Sequence, residues 1–157
     1  MRTGLRCGLV AAALVAAGAS GMAIAADTLL TMPIDKALAS QAAKERIDPN
    51  VKMLFGFNRL EGATEPTLYK TVKRVRRPVN KVQEGPVLTD AQLCETVFVQ
   101  AVQDLQQRAA QGGSNAVMEI RSNWKDDETS SDTTYVCAKG AAYIGVALKA
   151  TLVKTGS

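Results

Sequence analysis

The clearest pattern of hydrophobic and polar positions lies in the segment TDAQLCETVFVQAVQDLQQRAAQGG. Apolar residues recur there with the spacing of one helical face: Cys94, Phe98, Ala101, Leu105 and Ala109. Thr89 and Gln92 form a capping-box pattern before this stripe, and two glycines after it favour the end of a helix. The pattern therefore predicts one long amphipathic helix that turns Cys94 toward the core.

Two shorter elements are predicted before this helix. The segment MPIDKALASQAAKERIDPN is amphipathic, with Pro33 near its start and Pro49 near its end, so it predicts a short helix. The apolar segment VKMLFGF predicts a strand that ends near Gly56, and NRLEGATEP has the composition of a loop.

The remaining apolar segments alternate as strands do. In NAVMEIRSNW, Met118 and Ile120 are expected on one side of a strand and Glu119 on the other. TTYVCAKGAAYIGVALKATLV predicts one strand or a broken pair, with Gly140 and Gly145 marking bulges or close approach. Because consecutive strands on short turns favour antiparallel pairing, we predict an α+β fold. It consists of a small antiparallel sheet packed on one long helix, with a short N-terminal helix.

A basic segment, LYKTVKRVRRPVNK, interleaves apolar residues with cations. The candidate basic patch consists of Lys70, Lys73, Arg74, Arg76 and Arg77. One interpretation is an edge strand whose charges discourage pairing with other chains. The other is a binding patch for phosphate, lipid head groups or an acidic partner. We favour the edge strand, because the chain as a whole has little excess positive charge.

The N-terminus has the pattern of a signal peptide. Arg2 and Arg6 precede the apolar run LVAAALVAAGASGMAIA, and small residues follow at the spacing that a signal peptidase accepts. The predicted cleavage region contains Ala23, Ala25 and Ala26. We therefore expect residues 1–26 to be a signal peptide and residues 27–157 to form a single periplasmic α+β domain. An uncleaved membrane anchor is the alternative, but the alanine-rich run is only weakly hydrophobic.

Composition narrows the possible functions. The net charge of +4 falls to +2 once Arg2 and Arg6 are removed, so it gives no general case for nucleic-acid binding. Histidine is absent, which removes the usual general base and zinc ligand, and no phosphate-binding loop of the P-loop type occurs. We expect no cofactor, no catalytic residues and no stable membrane anchor after cleavage of the signal.

Two cysteines remain after signal cleavage, Cys94 and Cys137. In an oxidising compartment such a pair normally forms a disulfide bond, which we favour here. The alternatives are two buried free thiols or a redox-active pair, although the spacing is not that of a C-x-x-C motif.

The stretch from Cys94 through the GG helix end, SNAV and TTYVCAKGAA resembles two known families. It is similar to the C-terminal domain of RcsF-like envelope-stress sensor lipoproteins and to the YbjQ-like small α+β proteins, over about residues 88–152. RcsF-like domains have four cysteines in two nested bonds, whereas this chain has Ser122 and Ser131 near the other two positions. The resemblance implies an α+β domain that acts in the cell envelope.

We therefore predict a non-catalytic periplasmic protein that acts through contacts with another envelope protein, with envelope stress sensing as the implied role. The sequence identifies neither that partner nor an oligomeric state. The alternative function is binding of a metal or small ligand. Its candidate ligands are in the acidic segment KDDETSSD: Asp126, Asp127, Glu128 and Asp132. This segment lacks the glycine and the ordered spacing of a calcium loop.

Overall fold

A computed structural model describes residues 26–78 and 88–156. Within these residues, three helices and seven strands confirm the predicted α+β class. The elements in chain order are β1 (Thr28–Pro33), α1 (Ile34–Leu38), α2 (Gln41–Arg46), β2 (Lys52–Phe55), β3 (Thr64–Arg76), α3 (Asp90–Gln111), β4 (Ala116–Trp124), β5 (Asp127–Thr129), β6 (Thr134–Lys139) and β7 (Tyr143–Lys154).

The strand β7 holds the sheet together. It pairs antiparallel with β3 along one edge, and with β4 and the end of β6 along the other. β1 extends the sheet beyond β6, while β2 and β5 both pair with β4. β2 and β4 run parallel, so the sheet is mixed, and the predicted antiparallel pairing holds for the other described strand pairs. The chain reaches β4 from β2 by a crossover through β3 and α3, which returns it in the same direction.

Helix α3 packs against one face of the sheet, as its apolar stripe predicts. All five residues of that stripe are inaccessible to solvent, and Phe98 stacks on Tyr135 of β6 with ring centroids 4.0 Å apart. The capping box of Thr89 and Gln92 is present, and Gly112 ends the helix. The long helix is therefore confirmed in position, in termini and in the face that it buries.

The N-terminal segment differs from the prediction of a single short helix. Thr28–Pro33 is a strand paired with β6, and two short helices follow it. The division falls at Ser40, whose hydroxyl accepts a hydrogen bond from the Ala43 amide at 3.2 Å and so starts a new helix. Pairing with β6 stabilises β1 through contacts that a local helical pattern does not reveal.

A β-bulge changes the alternation predicted for β4. Met118 faces away from α3 as part of a small apolar cluster, but Ile120 lies in the main core beneath α3. Between them Glu119 adopts a left-handed backbone conformation (φ 53°), and the pairing with β7 shifts register. The predicted shared side of Met118 and Ile120 is therefore wrong, because one extra residue reverses the phase of the strand.

The predicted disulfide bond between Cys94 and Cys137 is present. The two sulfur atoms are 2.02 Å apart, the Cα atoms are 5.9 Å apart, and both residues are inaccessible to solvent. The bond fastens the first turns of α3 to β6 across the main core. Such a bond is typical of proteins that fold in an oxidising compartment outside the cytoplasm. Of the predicted signal residues, Ala23 and Ala25 lie outside the described residues, and Ala26 is the first residue described.

Candidate protein-binding face

The sheet has two unlike faces. The helix-covered face packs against α3, and the open face is the opposite side. Since side chains alternate along a strand, β7 presents Ile144, Val146 and Leu148 to α3 and Gly145 and Ala147 to the open face. The open face is therefore the part of the sheet that α3 does not cover.

The same alternation divides the candidate basic patch. Lys73 and Arg77 point toward α3, where they pair with Asp104 at 2.7 Å and Asp90 at 3.0 Å. Lys70, Arg74 and Arg76 point to the open face. These are the strand positions opposite Lys149, Gly145 and Tyr143 of β7. Among the described residues β3 pairs only with β7, which makes it an edge strand, and the five cations of the candidate patch do not form one continuous surface.

Exposed apolar side chains are concentrated on the open face. Leu68 and Val72 of β3 lie opposite Thr151 and Ala147 of β7, and they are 58% and 53% exposed. Leu29, Phe57 and Tyr143 extend this set and are likewise exposed. The packing of the Arg121 guanidinium over the Phe57 ring, 5.0 Å from its centroid, places Phe57 with the others. Exposed apolar groups gathered on one surface are typical of interaction sites.

Trp124 lies across the middle of the open face. It ends β4 immediately before a two-residue turn in which Lys125 and Asp126 both have positive φ, as in a type I′ hairpin. Its indole lies directly over Gly145, where a Cβ atom would come within 2.5 Å of the ring. The close approach predicted for Gly145 is thus confirmed, since only glycine leaves room for the indole.

Three polar contacts hold the Trp124 ring in place. The indole Nε1 donates a hydrogen bond to Asp27 Oδ2 at 3.2 Å, and the Arg74 guanidinium lies 5.3 Å from the ring centroid. Lys125 Nζ is 2.8 Å from the same carboxylate. Hydrogen bonds from Lys125 and Trp124 hold the pKa of Asp27 below its usual value, so this carboxylate is ionised at neutral pH.

Glu119 provides a buried carboxylate at the bulge. Its Oε1 accepts hydrogen bonds from Arg59 Nε and Nη2 at 2.9 and 2.8 Å, and Oε2 accepts one from Thr151 at 3.0 Å. Burial raises the pKa of Glu119, but the hydrogen bonds from Arg59 and Thr151 outweigh this effect and the net pKa is lowered. The carboxylate therefore remains charged and is suited to fastening the loop that carries Arg59 onto the sheet.

Two of the four acidic residues proposed as metal ligands, Asp126 and Glu128, have other partners. Asp126 lies 2.6 Å from Lys70 Nζ, and Glu128 pairs with Lys149 at 2.7 Å and with Arg121. Hydrogen bonds from Lys70 and Asn123 lower the pKa of Asp126, and a hydrogen bond from Lys149 lowers that of Glu128. Asp127 and Asp132 are exposed. In residues 26–78 and 88–156 no three carboxylates or cysteines are grouped as a metal site requires.

Ser122 and Ser131, the positions near the missing cysteines, form hydrogen bonds instead. Ser122 Oγ accepts from the Val136 amide at 2.8 Å, joining β4 to β6 where β6 separates from β7. Ser131 Oγ accepts from the Thr133 and Thr134 amides in the turn before β6. The two remaining cysteines bond to each other.

Trp124, Arg74 and Asp27 lie far apart in sequence, and no local pattern predicts that they are neighbours. The available signals were a lone tryptophan, Trp124, at the end of an alternating strand and a glycine, Gly145, in the following apolar segment of the sequence. Among the helices of the described part, none is long and apolar enough to span a membrane.

Comparisons with protein-family models, curated proteins and solved structures found no match to this chain. The RcsF-like and YbjQ-like resemblance thus stays a prediction.

Proposed function

We propose that this chain is a non-catalytic, exported domain that binds another protein of the cell envelope through its open face. The observation that carries this proposal is that five large apolar side chains are exposed on the sheet face that α3 leaves uncovered: Leu29, Phe57, Leu68, Val72 and Tyr143. In the periplasm, such a domain acts as an adaptor or sensor whose output is a protein contact. The RcsF-like resemblance adds envelope stress sensing as the proposed role.

The charged groups support a binding role over catalysis. Asp90, Asp104 and Glu128 all have lowered pKa values because cations bond to them, so they are ionised at neutral pH and poor proton donors. The two cysteines are consumed in a buried disulfide bond. These groups stabilise the domain, and the exposed apolar residues are left for recognition.

Site-specific crosslinking in intact cells tests the proposal. A photoreactive amino acid is placed at Leu68 or Val72 on the open face, and at Gln107, an exposed position of α3, as the matched control. We expect one distinct protein adduct from the open-face positions and none from Gln107, identified by mass spectrometry. Equal labelling from all three positions would contradict an interface on the open face.

The same samples test export. We expect mass spectrometry of the periplasmic fraction to show a chain that begins at Ala26 or Asp27. Strand β1 starts at Thr28, so cleavage there leaves the described elements complete. An intact Met1 terminus in the membrane fraction would contradict export with cleavage.

The alternative function, binding of a metal, has a separate test. Divalent metals are titrated into the processed protein in a calorimeter, and the alternative requires a saturable heat of binding.

A further inference from the structure

A groove crosses the open face along β7. At its centre the Trp124 ring packs over Gly145 and Ala147, the two smallest residues on that side of the strand. Strand β3 forms one wall with Val72 and Arg74, and the β4–β5 hairpin forms the other with Trp124. Because both neighbours of β7 bear larger groups than β7 itself, the central strand lies at the bottom of a channel.

The stack of Arg74 on Trp124 divides this groove into two clefts. The first has a volume of about 250 Å³ and extends from the stack toward Tyr143 and the turn at Gly140, with Asp27 on its rim. The second has a volume of about 170 Å³ and extends over Ala147 toward Lys70 and Asp126. Both clefts are lined by Arg74 and Trp124, so a ligand that fills the two must contact this pair.

The charge around the groove is unbalanced. Lys125 is paired with Asp27, and Lys70 with Asp126, so these charges cancel. Arg74 and Arg76 are exposed and form no ion pair with a described carboxylate, unlike the other cations of β3. Arg74 lines both clefts, and Arg76 lies beyond them, opposite Tyr143 on the same face. These two guanidinium groups favour carboxylate ligands.

The dimensions match an extended peptide. From Tyr143 to Ala147 the groove follows four residue steps of β7, or about 13 Å at the usual rise of a strand. A peptide of about four extended residues has the same length, and its alternate side chains point to one side. Small apolar side chains fit the two clefts on either side of the Trp124 ring, while acidic side chains reach the guanidinium groups at the wall.

We infer that the groove binds an extended acidic segment of the partner protein, in which carboxylates alternate with small apolar residues. This inference rests on the proposed function and specifies the chemistry of the partner. Arg74 recognises a carboxylate of the segment while its stack on Trp124 keeps the guanidinium in place. Arg76 provides a second carboxylate contact beside Tyr143.

Short capped peptides test the inference directly. The probe is acetyl-Val-Glu-Val-Glu-amide, and the matched controls are the same peptide with glutamine or lysine in place of glutamate. Trp124 is the only tryptophan in the chain, so its fluorescence reports on the groove, and calorimetry gives an independent dissociation constant. We expect the acidic peptide to change the fluorescence and to bind more tightly than either control.

Variants locate the binding. R74Q should weaken the acidic peptide about tenfold, the loss expected for one charge-assisted contact. R46Q removes the same charge from exposed helix α2 and should leave binding within about twofold. If R74Q proves unfolded by circular dichroism, R76Q takes its place with the same expectation. Equal affinities for R74Q (or its R76Q replacement) and R46Q, or equal binding of the lysine peptide, would overturn the inference.

Two further outcomes separate this inference from others. Retention of the protein by vesicles with anionic lipid, lost in R74Q, would assign the guanidinium groups to a membrane surface and overturn the peptide proposal. If R74Q binds no peptide but still gives the open-face crosslinks in cells, the proposed function stands and the inference that the groove binds the partner is refuted. Loss of those crosslinks in R74Q but not in R46Q is the result that we expect.

Discussion

The helix-covered face and the open face of the sheet are built on the same strands but stabilised by different forces. Beneath α3, Leu105 and Leu148 are almost wholly buried and a disulfide bond crosses the core. On the open face the strands present ion pairs, a tryptophan over a glycine and exposed apolar residues. The first face gains its stability from loss of apolar surface to water. The second is held by polar and aromatic contacts and leaves large apolar side chains exposed to solvent.

The disulfide bond provides the strongest test of this contrast. Replacing both Cys94 and Cys137 with alanine should lower the free energy of unfolding by about 3–4 kcal/mol, since the bond closes a 43-residue separation. Urea unfolding of the oxidised protein and the double variant measures the difference. C94A alone should behave worse, because it leaves a free thiol able to form intermolecular bonds. Two free thiols per chain in the denatured, unreduced protein would refute the bond.

Gly145 tests how tightly the open face is packed. G145A should lower the free energy of unfolding by about 1–3 kcal/mol, because its methyl group would meet the Trp124 ring and force it outward. Unfolding curves and a red shift of the tryptophan emission together report this displacement. Substitution at Gly113, where nothing lies within 4 Å of a Cβ but φ is positive, is the control for backbone strain alone. An unchanged emission spectrum in G145A would show that the indole does not rest on this glycine.

Glu119 makes the stability of the fold depend on pH. Its folded pKa is lowered, so its carboxylate stabilises the fold above the ordinary value of about 4.3, and this contribution is lost as the pH falls toward the folded value. E119Q should therefore be about 1–2 kcal/mol less stable than the parent at pH 7. The difference should shrink by pH 3. Urea unfolding of E119Q and the parent at pH 7 and pH 3 measures this difference, and Glu45→Gln at an exposed position is the control. An equal loss of stability at both pH values would contradict a contribution from the ionised Glu119 carboxylate.

The smallest effect is expected from a matched pair of lysines on β3. Lys73 pairs with Asp104 beneath α3, and Lys70 pairs with Asp126 on the open face, where both partners are more exposed. K73Q should cost up to about 1 kcal/mol, and K70Q should cost less because solvent screens its exposed ion pair. Unfolding curves at low and high salt separate the two. A larger loss in K70Q would mean that the open face contributes more to stability than its exposure suggests.

The sequence was most informative where the structure follows a local rule. The helix around Phe98 could be predicted because spacing, capping box and glycine end all agree. The bulge at Glu119 could not, since a buried charge in a left-handed conformation depends on Arg59 and Thr151 from distant segments. The turn at Lys125 also lacks the asparagine and glycine that usually indicate a type I′ hairpin.

The candidate site shows the same limit. Alternation along β3 was visible, but the sequence could not assign Lys73 to the helix side and Arg74 to the open side without the register between β3 and β7. The parallel pairing of β2 with β4 likewise depends on a crossover rather than on either strand. Contacts between residues far apart in sequence decide both features, and the register between β3 and β7 is the one that places Arg74 at the groove.

The central position of β7 has a consequence for the order of folding. β3, β4 and β6 all pair with this strand, yet it is the last strand in the described chain. A growing polypeptide that has not yet reached Tyr143 lacks the element that joins its other strands into one sheet. The domain therefore closes late and through non-local contacts, which slow folding. In the export that we propose for this chain, delayed closure would keep the polypeptide unfolded while it crosses the membrane.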